Sequence, residues 1–211
     1  MTAGRAYDAT SRLARAAERR AAVLAVARRR LLADGYARTS LAAIATESQV
    51  SPEYIHKAFG GKAGLVRAIH DESLGGSERV PAPDRSEDLQ ATAPDLATVL
   101  RGFGALSADV APLVAPIELL IREAAAAGDP VMIALHEQVQ ADRLTRMREN
   151  AARLDRRGLL PATVPPAHAA DVFWTMTSPE LYEQLVRGRG WTPEAYGAFI
   201  GTCLIAALQV G

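Results

Sequence analysis

One cysteine, Cys203, occurs in 211 residues, so no disulfide can form within the chain, and no Cys/His cluster has zinc-site spacing. A reducing cytoplasm suits that economy. Lysine is nearly as scarce, with only Lys57 and Lys62 among 24 basic residues; beside abundant alanine this marks GC-rich coding and bears on source, not on activity. Aromatics at 5% argue against a large planar ligand held by stacking. Charge or proline interrupts every long apolar run, which predicts no membrane span and no membrane partner. The arginine-containing N-terminal stretch has no continuous apolar segment behind it, which predicts no secretory leader. Short, alternating Val/Ile/Thr-rich runs are missing too, and the remaining Ala/Leu/Arg/Glu-rich segments with helical spacing predict an all-α fold.

What is present is ordinary globular composition, 49% apolar and 23% charged. Helix starts carry one repeated device: a hydroxyl or Asp cap followed by proline at the first helical position. It stands at Ser51-Pro52-Glu53, Asp129-Pro130, Ser178-Pro179-Glu180 and Thr192-Pro193-Glu194. The first helix is predicted over 9–34, with Leu13, Ala17, Ala21, Leu24 and Leu31 on one face and Gly35 ending it. Short helices follow over 40–47, 51–58 and 61–75. Residues 76–93, polar and proline-containing, read as a linker or mobile loop. Longer helices are predicted over 94–107, 110–127, 129–157, 166–187 and 192–209, with Pro112, Pro116 and Pro179 breaking or kinking those that hold them. The domains expected are 1–75 and 76–211.

The formal net charge of zero conceals an asymmetry. Residues 1–76 carry 12 Lys+Arg against 7 Asp+Glu, and residues 77–211 carry 12 against 17. A basic head on an acidic helical body fits a nucleic-acid reader joined to a second function, because phosphate neutralisation supplies most non-specific affinity. Within 35–65, GYARTSLAAIATESQVSPEYIHKAFGGKAGL, Thr39 and Ser40 open a short helix with Leu41, Ile44 and Ala45 on its inner stripe. Val50 sits in the turn before a second, capped helix. This is helix-turn-helix spacing. Ile55 and Phe59 face the core, leaving Pro52, Glu53, Tyr54, Lys57 and Ala58 for base edges if the helix enters a major groove by its N-terminal end. At the start of the next helix, the Lys62 ammonium and the free amides predict a phosphate site.

The pattern GY-x-x-TS-L-x-x-IA, then VS-x-x-x-I-x-x-x-F-x-x-K-x-x-L, resembles the tetracycline-repressor (TetR) family of bacterial regulators. It is met by Gly35, Tyr36, Thr39, Ser40, Leu41, Ile44, Ala45, Val50, Ser51, Ile55, Phe59, Lys62 and Leu65. The stretch AADVFWTMTSPELYEQLVRGRGWTPEAYGAFI resembles the last two helices of many actinobacterial members. The resemblance implies a helix-turn-helix head, an effector pocket among the middle helices and a homodimer built on the last two. It implies no cofactor and no enzymatic activity: a ligand-responsive transcriptional repressor on a pseudo-palindromic duplex operator, working in the cytoplasm. Carried onto this sequence, the DNA-binding residues are Thr39, Ser40, Ser51, Pro52, Glu53, Tyr54, His56, Lys57 and Lys62. Two departures stand out. Ser48 and Gln49 replace the family's usual Ala-Gly turn, placing a non-glycine residue in a left-handed position, and His56 replaces a tyrosine that meets backbone phosphate.

For the effector pocket, helical spacing offers Leu106, Leu113, Ile117, Leu120, Met132, Leu135, Val139, Phe173, Trp174 and Met176 as a greasy lining, with Glu118, Arg122 and His136 to orient a ligand. For the dimer interface, Val172, Leu181, Leu185, Phe199, Ile200, Cys203, Leu204, Ala207 and Leu208 give the last helices more apolar surface than one face hides. Metal chemistry finds little support. Glu53 and His56 form one E-x-x-H pair without the second pair and further carboxylates of a di-metal helix site, and His70, His136 and His168 are isolated. The GxG fragments at Gly102 and Gly188 follow no strand, and G-x-S-x-G, P-loop and H-E-x-x-H motifs are missing. The competing reading is a helical small-molecule-binding protein or enzyme with an unused regulator-like head; a nucleoid-type DNA binder would need a basic excess along the whole chain.

Overall fold

Each proline-marked start opens a helix in the computed structural model, which describes residues 3–78 and 80–208. Ser51 accepts from the Tyr54 amide, Asp129 from Val131 and Met132, and Thr192 from Ala195, satisfying amides that lack helical partners. Ser178 makes no such cap. The chain divides into two compact units, Met1–Ile69 and His70–Gly211, with the boundary inside one helix.

The first unit holds α1 (Ala3–Asp34), α2 (Leu41–Glu47), α3 (Pro52–Phe59) and the first two turns of α4 (Lys62–Ser73). Val23, Leu24, Ala27 and Leu31 of α1 are buried, as are Ile44, Ala45, Ile55, Leu65, Val66 and Ile69 of α2 to α4, and α1 packs on α2 and α2 on α3. The α1 stripe therefore differs from the expected one. Leu13, Ala17 and Ala21 are exposed, and the buried positions start at Val23.

The second unit adds α5 (Ala82–Thr92), α6 (Leu96–Ala126), α7 (Pro130–Arg156), α8 (Pro166–Met176), α9 (Pro179–Tyr182) with a π-helical continuation over Glu183–Gly188, and α10 (Pro193–Leu208). Two expectations are corrected. The presumed linker contains α5, held where Gln90 donates to Asn150 Oδ1 on α7 and Arg157 donates to the carbonyls of Gln90 and Ala93. Its polar sequence reflects a helix anchored by polar bonds. The expected break near Pro112 is also absent, and α6 runs through both prolines. Each removes the usual donor to the carbonyl four residues back, and burial of Val114, Ala115, Ile117, Leu119, Leu120 and Ile121 offsets that loss. By length and composition alone α6 would be long and apolar enough to cross a membrane, and it packs against α7 and α10 as the central helix of the unit. Its contact with α10 is close. A Cβ at Gly104 would lie 2.4 Å from the Gly197 carbonyl, and one at Gly197 would lie 2.5 Å from that of Gly104.

Candidate nucleic-acid interface and body cavity

The link from α2 to α3 is built by backbone hydrogen bonds alone. Val50 N–H donates to the Ala45 carbonyl at 3.0 Å and Gln49 N–H to that of Thr46 at 3.2 Å, the paired closure that ends a helix through one left-handed residue. That residue is Gln49, at φ +54°, so the turn takes the conformation glycine would favour with a side chain in place. The turn delivers α3 with Ile55 fully buried and Ser51, Pro52, Glu53, His56, Lys57 and Ala58 exposed. Tyr54 is half-buried, with the Arg19 guanidinium 5.9 Å over its ring, while Arg20 lies 4.5 Å over Phe59. At the start of α3, backbone amides and the Ser51 hydroxyl hold the Glu53 carboxyl below its usual range, so the helix presents a negative charge beside His56 and Lys57.

Two expected phosphate contacts are otherwise engaged. Thr39 is buried, and its hydroxyl donates to the carbonyls of Gly35 at 2.8 Å and Arg30 at 3.3 Å. Lys62 Nζ donates to the carbonyls of Tyr36 at 2.7 Å and Thr39 at 3.1 Å, and sits 4.1 Å over the Tyr36 ring. Both side chains tie the connection between α1 and α2 to the core. Ser40 is exposed and caps α2 through the Ala43 amide. Arg29 and Arg30 both pair with Glu47, which neutralises part of the head's positive excess.

In the body, a cavity of about 330 Å³ is lined by α5 to α10 and by His70 and Leu74. α6 contributes Phe103, Leu106, Ser107, Val110, Ala111, Val114, Ala115 and Glu118; α7 contributes Val139, Asp142, Arg143, Arg146, Met147 and Asn150. Phe173, Thr177, Ser178, Pro179, Tyr182, Tyr196 and Leu204 close one wall, and Ala82, Pro83 and Ser86 of α5 another. Glu118 and His70, both buried, meet at 3.2 Å between Oε1 and Nε2. Burial lowers the pKa of Arg143, and the negative charge of Glu118 and Glu180 opposes that shift. Its guanidinium lies 4.5 Å over Trp174 and donates to the Trp174 carbonyl and Gln140. Burial, reinforced by neighbouring Tyr182, raises the Tyr196 phenol to about 12, so the hydroxyl stays neutral.

Residues 23–69 match the model of bacterial regulatory proteins of the tetR family. Over those residues the chain is similar to TetR-family regulators. Solved structures share its fold over nearly the whole length. NalD, the secondary repressor of the MexAB-OprM multidrug efflux pump in Pseudomonas aeruginosa, is 19% identical with a TM-score of 0.66, covering 90% of this chain and 97% of its own. SmeT, solved as a triclosan complex, is 20% identical with a TM-score of 0.66, covering 90% and 91%. GusR of Salmonella enterica is 16% identical with a TM-score of 0.65, covering 92% and 96%. No curated protein sequence matches this one.

Against the TetR-family expectation for the body, Leu106, Glu118, Val139 and Phe173 line the cavity. Leu113, Ile117, Leu120, Arg122, Met132, Leu135, His136, Trp174 and Met176 do not. Because α6 continues without a break, its cavity face falls on Phe103, Leu106, Val110, Val114 and Glu118. Ile117, Leu120, Met132 and Leu135 are packed in the core. Arg122 pairs with Glu180 and Glu183, and Trp174 carries Arg143 on its ring. Missed were His70, Arg143, Arg146, Asn150, Tyr182 and Tyr196. On α7, the spacing of Val139, Arg143, Arg146 and Asn150 could have shown a single face. The α5 wall was hidden by the linker reading.

The proposed dimer surface is also redrawn. Ile200, Leu204 and Leu208 are buried in the body's own core, and Val172, Leu181, Leu185 and Ala207 pack partly against it. Phe199 is 37% exposed and meets Trp191 edge-on at 5.6 Å, with Cys203 one turn further along.

Proposed function

We propose that this chain is a ligand-responsive transcriptional repressor that binds a pseudo-palindromic duplex operator as a homodimer in the cytoplasm and leaves it when a small, mostly apolar effector fills the body cavity. The observation that carries this reading is the exposed N-terminal half of α3 on a helix-turn-helix head, in a chain whose separate body encloses a ligand-sized cavity. NalD as a repressor and SmeT in complex with triclosan support the same reading by similarity. In it, Pro52, Tyr54 and Lys57 read base edges, while Ser40, Ser51, His56 and the amides opening α4 meet phosphates. Glu53 disfavours phosphate close to its carboxylate and accepts from a base amino group.

Dimerisation falls to the exposed face of α10 around Phe199, Cys203 and Ala207, with Trp191 at its edge. α4, which starts in the head and ends in the body, is the element through which the cavity biases the head. A tenfold loss of operator affinity needs only about 1.4 kcal/mol of difference between two states. Selection of genomic fragments with the purified chain tests the reading. An inverted repeat is expected. Recovery of single half-sites would contradict the dimer, and absence of enrichment at low salt would favour a binding protein with an idle head.

A further inference from the structure

The polar groups on the cavity wall are unequal in what they still need. Glu118 is 5% exposed, and His70 Nε2 takes its Oε1; its second oxygen makes no hydrogen bond among the described residues. A carboxylate accepts up to about four hydrogen bonds, and a desolvated one with a single donor is costly. The Ser107 and Thr177 hydroxyls donate to the carbonyls of Phe103 and Phe173 on their own helices, at 2.9 and 2.8 Å, so they turn only lone pairs toward a ligand. The donors on the wall are differently placed. Arg143 gives Nη1 to the Trp174 carbonyl, Nη2 to Gln140 and its plane to the indole, and its Nε is buried out of a ligand's reach without an acceptor among the described residues, while Arg146 is half-exposed. Asn150, buried, is a neutral amide whose oxygen already receives Gln90. Four of the chain's eleven aromatic residues, Phe103, Phe173, Tyr182 and Tyr196, line this one cavity, and their ring faces favour a cation.

We propose that the cavity takes a protonated amine on a mostly apolar body, with Glu118 Oε2 accepting the ammonium N–H and the aromatic walls covering the apolar part. This rests on the reading of the body as the effector-binding unit and names the chemical class of its effector. A buried carboxylate next to hydroxyl oxygens that can only accept selects an ammonium over an alcohol of the same length and rejects a carboxylate by like charge. His70, by holding Oε1, fixes the carboxylate rotamer that aims Oε2 at the ligand; it is a positioning residue.

Calorimetric titration of the full wild-type chain at pH 7 with n-decylamine, 1-decanol and decanoate tests the class directly. The amine is expected to bind at least about tenfold more tightly than the alcohol, and the alcohol more tightly than decanoate. Equal binding of all three, tightest binding by decanoate, or no binding by the amine would overturn the proposal. Glu118→Gln, checked for an unchanged circular dichroism spectrum, is expected to erase the amine's advantage and leave decanol binding as it was; an advantage that survived would also overturn it. The wild-type comparison decides the matter even if that variant does not fold. Operator affinity measured in the same samples separates this from the broader reading. A bound amine that leaves DNA affinity unchanged removes the switch and keeps the ligand class. Release by decanol with no preference for the amine does the reverse.

Discussion

Both units hold local side-chain hydrogen bonds, but among the described residues the longest in the head spans 26 positions, from Lys62 to Tyr36, and the longest in the body spans 67, from Arg157 to Gln90. Ser40 caps the amide three residues on, and Ser51 does the same. In the body, His70 meets Glu118 across 48 positions, Arg122 meets Glu180 across 58, and Gln90 meets Asn150 across 60. Local closure lets a short motif specify the head: cap, left-handed turn, cap, buried Ile55. The body depends on helices meeting at a distance, and there a single residue's role follows from which helix lies opposite.

The largest expected effect tests that dependence. Gly197→Ala puts a methyl 2.5 Å from the Gly104 carbonyl, where neither backbone can yield cheaply. A loss of about 3 kcal/mol in the body is expected, read by denaturant unfolding. The head should keep its helical signal if the two units unfold separately, and a single concerted transition would show that the contrast between them is not energetic.

Tyr196 sharpens the same comparison through pH. Its folded pKa, about 12, lies above the ordinary tyrosine value, so the stabilisation is fully present below pH 10 and is lost as pH rises toward and through 12. Absorbance at 295 nm should show Tyr196 as the last tyrosine to ionise, after Tyr182, whose phenol burial also raises, and Tyr196→Phe should remove that last step together with about 2 kcal/mol of alkaline destabilisation. A titration in which all tyrosines ionise together near pH 10 would contradict the burial argument.

Within the head, Tyr54→Ala should flatten preference at one or two base pairs by about 1–3 kcal/mol while leaving non-specific affinity near its original value. Lys62→Met should act differently. It loses the donor to the Tyr36 and Thr39 carbonyls, so the head's melting temperature falls before any phosphate effect is seen. Competition between operator and scrambled duplexes, alongside melting curves, distinguishes reader from staple; equal loss on both duplexes for Tyr54→Ala would remove it from the reading face.

These contrasts show what was legible from residue order. The turn at Ser48-Gln49-Val50, the caps at Ser40 and Ser51 and the outward set on α3 follow from spacing and local backbone rules, and the structure has them. Thr39 and Lys62, expected at phosphates, satisfy the protein's own carbonyls here, because a polar side chain beside a helix start serves either partner and residue order does not say which. The cavity was legible only at Leu106, Glu118, Val139 and Phe173. Proline suggested a break that burial overrides in α6, and the polar run over 82–92 hid a helix that forms one wall. The dimer surface was over-read at Ile200, Leu204 and Leu208 because α10 is apolar all round, and sequence cannot say which side its own chain covers.

The smallest expected effect concerns the left-handed turn. Gln49→Gly should stabilise the head by about 0.5–1 kcal/mol, the relief of strain at φ +54° less the extra chain entropy of glycine. A small rise in melting temperature checks it, and a fall would show that the exposed Gln49 side chain contributes something the backbone argument omits.

The central claim is that occupancy of the body cavity governs the head's hold on DNA, and fluorescence anisotropy of a labelled operator duplex tests it most directly. With the full chain bound to the selected inverted repeat, stepwise addition of n-decylamine should weaken operator affinity at least about tenfold. By linkage, operator should weaken amine binding by the same factor. Unchanged operator affinity, while calorimetry shows the amine bound, would contradict the account.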